Sequence, residues 1–223
     1  YDRLPGIQKK IIRRCNECGK IVITATQMLD SMTQSLMPTR AEITDVANAV
    51  FDGSSAVMLS GESAAGRYPV ETVKAMTKFI VQAEADMLCI EETKRALTAE
   101  TKDNVSDAIG HAACTMAEHI NAAALVAVTA SGYTAQKMSK FRPKQTVFAV
   151  TSSGTTYHNM SLVRGVYPVL VEKNSVWKPM YEAAMKKINR SISFAYGDRI
   201  IVSAGIPINI EGNTNMIKVE TIE

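Results

Sequence analysis

The chain has 223 residues, 46% hydrophobic and 21% charged, enough for one large domain or two smaller ones around a buried core. A net charge of +3 and a pI of about 8.6 are too mildly basic to argue for nucleic acid. No apolar run reaches the roughly 20 residues of a membrane span and no charged-then-apolar leader is visible, so a cytoplasmic protein with no membrane partner is expected. Four cysteines fit a reducing compartment better than a disulfide scaffold.

In chain order, residues 7 to 18 predict the tail of a helix ending on Cys15-Asn16-Glu17-Cys18. This CxxC has no second pair to complete a zinc site, so two ordinary thiols near a helix end are expected. The β-branched run IVITAT (21 to 26) is apolar on both faces, the mark of a strand in a parallel sheet. Met28, Met32 and Met37 follow and are read as packing residues. Thr39 and Glu42 have capping-box spacing, and Ile43, Val46, Ala47 and Val50 then share one helical face up to Asp52-Gly53. SAVMLS (55 to 60) predicts a second buried strand, GESAAGRYP a loop, and Pro69 the first turn of a helix striped by Val73, Met76, Ile80, Ala83 and Met87.

The charged stretch 89 to 104 reads as a solvated linker or a helix end, and a domain boundary is placed near residue 90. Beyond it, Val105, Ile109, Ala112, Met116 and Ile120 mark a helix. Strands are expected at 124 to 129, 146 to 151 and 166 to 172, and a helix over 175 to 190. RIIVSAG (199 to 205), a loop over 205 to 214 and a closing strand NMIKVE complete the chain. Two parallel strands before residue 90 can neither close a barrel nor cover both faces of a sheet. The expectation is therefore a piece of a larger α/β protein, or strands supplied from elsewhere.

Thr26 and Ser60 end the two early strands, where α/β folds place their ligand sites. They could bind substrate or hold a relay water, or simply cap the next element; no His or Asp completes a hydrolase triad. VTASGYTA (128 to 135) runs from a strand through Ser131-Gly132 to Thr134 at a helix start. Small residues, hydroxyls and free N–H groups there can cradle a phosphate, without the Lys of a triphosphate-binding loop. TSSGTT (151 to 156) is similar; at least one of the two is an ordinary turn. Trp177 is read as core or as the flat wall of a pocket. His111, His119 and His158 do not cluster in the sequence.

The run ITATQMLDSM, followed by PTRAEITDVANAVFDGSSAVMLSGESAAGRYPVETV, closely resembles pyruvate kinase, and the likeness continues through SGYTAQKMSKFRP and GNTNMIKV. The resemblance implies an α/β chain comprising the last two βα units of a TIM (β/α)8 barrel (1–89) and an effector-binding C-terminal domain with a mostly parallel sheet (90–223). It also implies a homotetramer that moves a phosphoryl group from phosphoenolpyruvate to ADP in glycolysis, with Mg²⁺ or Mn²⁺ and K⁺. By position, Thr26 matches the Thr beside phosphoenolpyruvate and Ser60 the Ser that helps deliver a proton to the enolate. Arg40 matches a subunit-contact Arg. Thr129, Ser131, Gly132 and Thr134 match the loop that grips an effector phosphate, Trp177 an aromatic of the effector pocket, and the 205 to 214 loop, with Gly212, the segment that closes over it.

The metal-binding Glu and Asp, the phosphoryl-stabilising Lys and the K⁺ ligands have no match in this segment, so it holds no metal set and cannot catalyse the transfer alone. Where bisphosphate-regulated members carry an Arg there is Ala184, with Lys186 and Lys187 nearby. Ala65 stands where many members carry Lys. A sugar monophosphate or a nucleotide monophosphate is thus as good an effector as a bisphosphate. The alternatives are a stand-alone phosphate-binding module without catalysis, and a flavodoxin-like interaction domain with no phosphate site at Ser131.

Overall fold

The computed structural model describes residues 2–91, 104–190, 192–208, 210 and 212–222, with 88–91 in their backbone only. The chain divides into two compact units, Tyr1–Leu97 and Thr98–Glu223, each with its own sheet.

In the first unit, α1 (Leu4–Glu17) starts on a Pro in its first turn, where a missing N–H costs nothing. It ends at Cys15 and Cys18, both free thiols. Strands β1 (Ile23–Ala25) and β2 (Ala56–Met58) pair in parallel, with Ala25 opposite Met58. Both are shorter than the sequence predicted and only half-buried. A parallel strand is fully covered only when neighbours flank it on both edges and both faces, and among the described residues this sheet has two strands.

Helix α2 (Arg40–Asp52) joins them and carries the predicted capping box. Glu42 N–H donates to Thr39 Oγ1 at 3.3 Å, and Glu42 Oε2 accepts from Thr39 N at 2.7 Å. Gly53 closes the helix at φ +98°, a conformation costly for residues with a side chain. A short helix α3 (Gly61–Ala64), predicted as loop, precedes α4 (Pro69–Glu91). Met28, Leu29, Met32, Val46, Ala49 and Met76 form the core. Met37 stands apart: it is exposed, because it follows the 3-10 turn at Asp30–Thr33 and points away from that core.

The charged stretch predicted as a linker falls largely on residues outside those described, and α4 runs on to Glu91. In the second unit, α5 (Val105–His119) is capped by Asn104, whose side chain accepts from the N–H groups of Ser106 and Asp107. Then follow β3 (Ala124–Val128), α6 (Tyr133–Lys140), β4 (Val147–Thr151), α7 (Gly154–Met160) and β5 (Val166–Leu170). The rest is α8 (Trp177–Ile188), β6 (Arg199–Ala204) and β7 (Met216–Thr221). Helix α7 occupies what the sequence left as loop; Ser153 caps it by accepting from Thr156 N–H.

Five strands lie in the order β5-β4-β3-β6-β7, all parallel except β7, which runs against β6. Residues of β3 and β4 are buried throughout. Their near-continuous apolar runs follow from having two covered faces. Alternate residues meet α8 on one side (Val126, Phe148, Val202 against Met180, Ala184, Ile188). The others meet α5, α6 and α7 (Leu125, Ala127, Ile201 against Ala113, Met138, Met160). The chain moves outward from β3 to β5 on one face and returns to β6 by the other. That reversal opens a crevice between the carboxyl ends of β3 and β6, where open α/β sheets bind ligands.

Candidate functional site

Two places in the structure collect the residues singled out above. The first is the carboxyl end of β1 and β2. Thr26 lies one residue past Ala25, and Ser60 two past Met58, so the parallel register brings both hydroxyls to the same end. Thr26 and Gln27 have φ of +71° and +54°. Two successive left-handed residues with side chains cost on the order of 1–2 kcal/mol each, strain that persists only where surroundings enforce it. Thr26 is exposed and Ser60 half-buried.

Sequence reasoning missed Glu62 at this end. It is 2% exposed, in the first turn of α3. One carboxylate oxygen accepts from Leu29 N–H at 3.2 Å, the other from Ser60 N–H at 2.7 Å. Burial pushes this carboxyl up, but N–H groups of Glu62 itself, Ser60, Leu29 and Met28 outweigh it and hold the pKa below the ordinary value of 4.5. An acidic residue beside a strand-end Ser was the available signal; only the fold shows that it faces Leu29. Arg40 is exposed at the start of α2 and does not join this group. Among the described residues no three His, Cys, Asp or Glu gather as a metal set. Glu62 is already filled by N–H donors, so the residues present do not fit the Mg²⁺ and K⁺ that the resemblance implies.

The second place is the crevice between β3 and β6, about 420 Å³ with its open mouth. The β3–α6 loop lines one side with Thr129, Ser131, Tyr133 and Thr134. Gly205, Ile208, Ile210, Gly212 and Asn213 line the opposite side, and Ser152 and Met180 contribute from β4 and α8. Gly132 takes φ +86° as the N-cap of α6 and donates to Thr129 Oγ1 at 3.0 Å. The side chain of Met160 fills the space that a Cβ would need there. Thr134 and Thr214 hydroxyls meet at 2.8 Å, tying the two sides together, and Ser106 Oγ donates to Gly212 O at 3.1 Å. Gly205 has no room for a side chain against the Asn213 carbonyl.

Among the described residues, no lysine, arginine or histidine lines this crevice. The hydroxyls of Thr129, Ser131, Tyr133, Thr134 and Ser152, the Asn213 amide and the start of α6 are among its polar groups; Val128, Met180, Ile208 and Ile210 are among its apolar ones. Behind α6, Asp107 pairs with Lys137 at 2.7 Å and Lys140 at 3.1 Å. Burial raises the Asp107 pKa, but the two ammonium groups outweigh it and hold it below 3.8. Trp177 does not line the crevice. It packs on the α8-side core, 5.9 Å from Tyr181 and under Lys218 Nζ at 5.4 Å. Burial, with Glu220 and Glu182 nearby, pushes the Tyr181 hydroxyl up to about 12. Ala184 is wholly buried, and Lys187 turns to the Leu170 carbonyl. Ser152 and Asn213 lie in the 151 to 156 and 205 to 214 loops already singled out in the sequence, but neither was named there, and only strand order brings them to this crevice.

The strand-end pair and the loop crevice sit on different units, and each unit has its own counterpart among known domains. The barrel-domain model of pyruvate kinase matches residues 1–73, and the pyruvate kinase alpha/beta domain matches residues 107–220. The chain belongs to the pyruvate kinase family. It is 42% identical over 221 residues to a pyruvate kinase of Clostridium acetobutylicum, covering 99% of this chain and 46% of that protein. It is 43% identical over 224 residues to that of Geobacillus stearothermophilus, covering 99% and 38%. The chain thus spans less than half the length of these pyruvate kinases. Its partial barrel and mostly parallel second sheet fit that family.

Proposed function

We propose that this chain supplies one wall of a pyruvate kinase active site together with the domain that binds a phosphorylated effector. The reaction moves the phosphoryl group of phosphoenolpyruvate to ADP, and a proton then adds to C3 of the enolate to give pyruvate. Transfer of this kind rests on positioning and charge neutralisation, which belong to groups this chain does not hold. Its own share is the proton: a hydroxyl of Thr26, with Ser60 beside it, donates or relays it to C3. The observation that carries this reading is the parallel register placing Thr26 and Ser60 at one strand end, in a chain that matches both family domains in order.

In the complete polypeptide, Thr26→Ala is expected to slow kcat by about 10²-fold while KM for phosphoenolpyruvate changes little. Unchanged kcat refutes the assignment. The crevice between β3 and β6 is the proposed effector site, with Ser131 and the start of α6 receiving the phosphate. Ser131→Asp is expected to abolish activation by sugar phosphates and AMP; retained activation means the loop is only a turn. Arg40, on an exposed helix start, is the proposed subunit contact of a homotetramer.

The second unit, with its own two-faced core, favours a second reading: a phosphate-binding module that folds and acts without catalysis. The intact mass of the natural protein separates them. A mass near twice 24.3 kDa supports the catalytic reading, and a mass of 24.3 kDa supports the module.

A further inference from the structure

We propose that Glu62 is the positioning residue of the Thr26–Ser60 pair, its buried carboxylate clamping the ends of β1 and β2 through backbone N–H groups of both. The inference rests on the catalytic reading of Thr26. Strands β1 and β2 are paired over only three residues each, ending at Ala25 and Met58. Beyond that point no ladder hydrogen bond holds the chains in register, yet both hydroxyls lie there. Thr26 and Gln27 are left-handed, so the backbone reverses sharply before Met28 and Leu29 enter the core at 4% and 0% exposure.

Glu62 closes this gap. One of its oxygens holds Leu29 N–H, three residues past Thr26, and the other holds the N–H of Ser60 itself. The carboxylate thereby substitutes for the missing ladder, and its grip on Leu29 opposes relaxation of the strained Thr26–Gln27 bend. No lysine or arginine pairs with Glu62 among the described residues. A cap serving α3 alone would need only the N–H groups of α3. The reach across to Leu29 is what links it to Thr26. Gly66, with no space for a side chain against the Glu62 backbone, fixes the α3 turn from behind.

Glu62→Gln keeps size and puts an N–H donor opposite one of the two backbone donors, breaking one arm of the clamp. In the complete polypeptide it is expected to lower kcat about 30-fold with KM for phosphoenolpyruvate within about twofold of the unsubstituted protein. Because Glu62 acts through Thr26, adding it to Thr26→Ala should cost less than about threefold more. An undiminished kcat in Glu62→Gln, or losses that multiply in the double variant, overturns the proposal. If Thr26→Ala alone leaves kcat intact, it is the catalytic reading that fails. A second measurement needs no variant. As pH is lowered through ionisation of the Glu62 carboxyl, the amide resonances of Leu29 and Ser60 should shift together. Either one staying still overturns the clamp.

Discussion

The two sheets of this chain are built from the same kind of strand and end up in different surroundings. Strands β3 and β4 are buried along their whole length, whereas Ile23 and Met58 at the ends of β1 and β2 are 45% and 42% exposed. The sequences ITA and ALV differ little in β-propensity. What differs is company: five strands and helices on both faces in one case, two strands and a core on one side in the other. A β-branched run therefore declares that a strand wants covering; it does not say by what. Among the described residues, each unit buries one acidic side chain and neutralises it differently. Glu62 is met by backbone N–H dipoles, Asp107 by two lysines.

The sharpest test of this contrast is truncation. Phe148→Ala, at 1% exposure in β4, should cost about 3–5 kcal/mol by denaturant unfolding. Val57→Ala in half-buried β2 should cost about 1 kcal/mol, so equal losses would erase the distinction. The two carboxylates separate under pH and salt. Both have folded pKa values below their unfolded ones, so their stabilisation is complete above about 4.5 for Glu62 and 3.8 for Asp107, and is lost as pH falls through the lower folded values. Salt should weaken the Asp107 cluster only modestly, because partly buried ion pairs are screened less than exposed ones, and leave Glu62, held by neutral N–H dipoles, nearly untouched. Unfolding curves of the two units at low and high salt read this directly.

Two smaller effects follow. Thr39→Ala removes the side-chain half of the α2 capping box and should cost about 1 kcal/mol, confined to the first unit. Ser203→Ala in β6 should be neutral or stabilise the second unit by up to about 1 kcal/mol. The Ser203 hydroxyl is fully buried with no hydrogen-bond partner among the described residues, so its removal forfeits none. A loss above 1 kcal/mol would reveal an undetected partner.

Much of this was legible from one dimension. Thr39 and Glu42 announced their cap, Gly53 its helix end, and the apolar runs at 124 to 129 and 146 to 151 their strands, though not that these lie at the centre of a sheet. Helices α3 and α7 were not legible: four and seven residues carry too few turns for a hydrophobic period, and Ser, Gly and Thr read as loop. Trp177 shows the limit from the other side. Its type allowed either core or a pocket wall; the fold packs it on the α8-side core, while Met180 is the α8 residue that reaches the crevice.

The sequence by itself determined where the longer helices and the strands fall, and which residue types stand at their ends, but not the short helices α3 and α7. It also carried the family likeness, because those motifs are contiguous. Tertiary structure alone decided which ends meet. Ser152 and Asn213 face one crevice because β4 and β6 flank β3, and Glu62 reaches Leu29 because β1 and β2 run in parallel. Local backbone preference is encoded within a few residues, whereas a hydrogen bond across 33 positions exists only after the chain has folded.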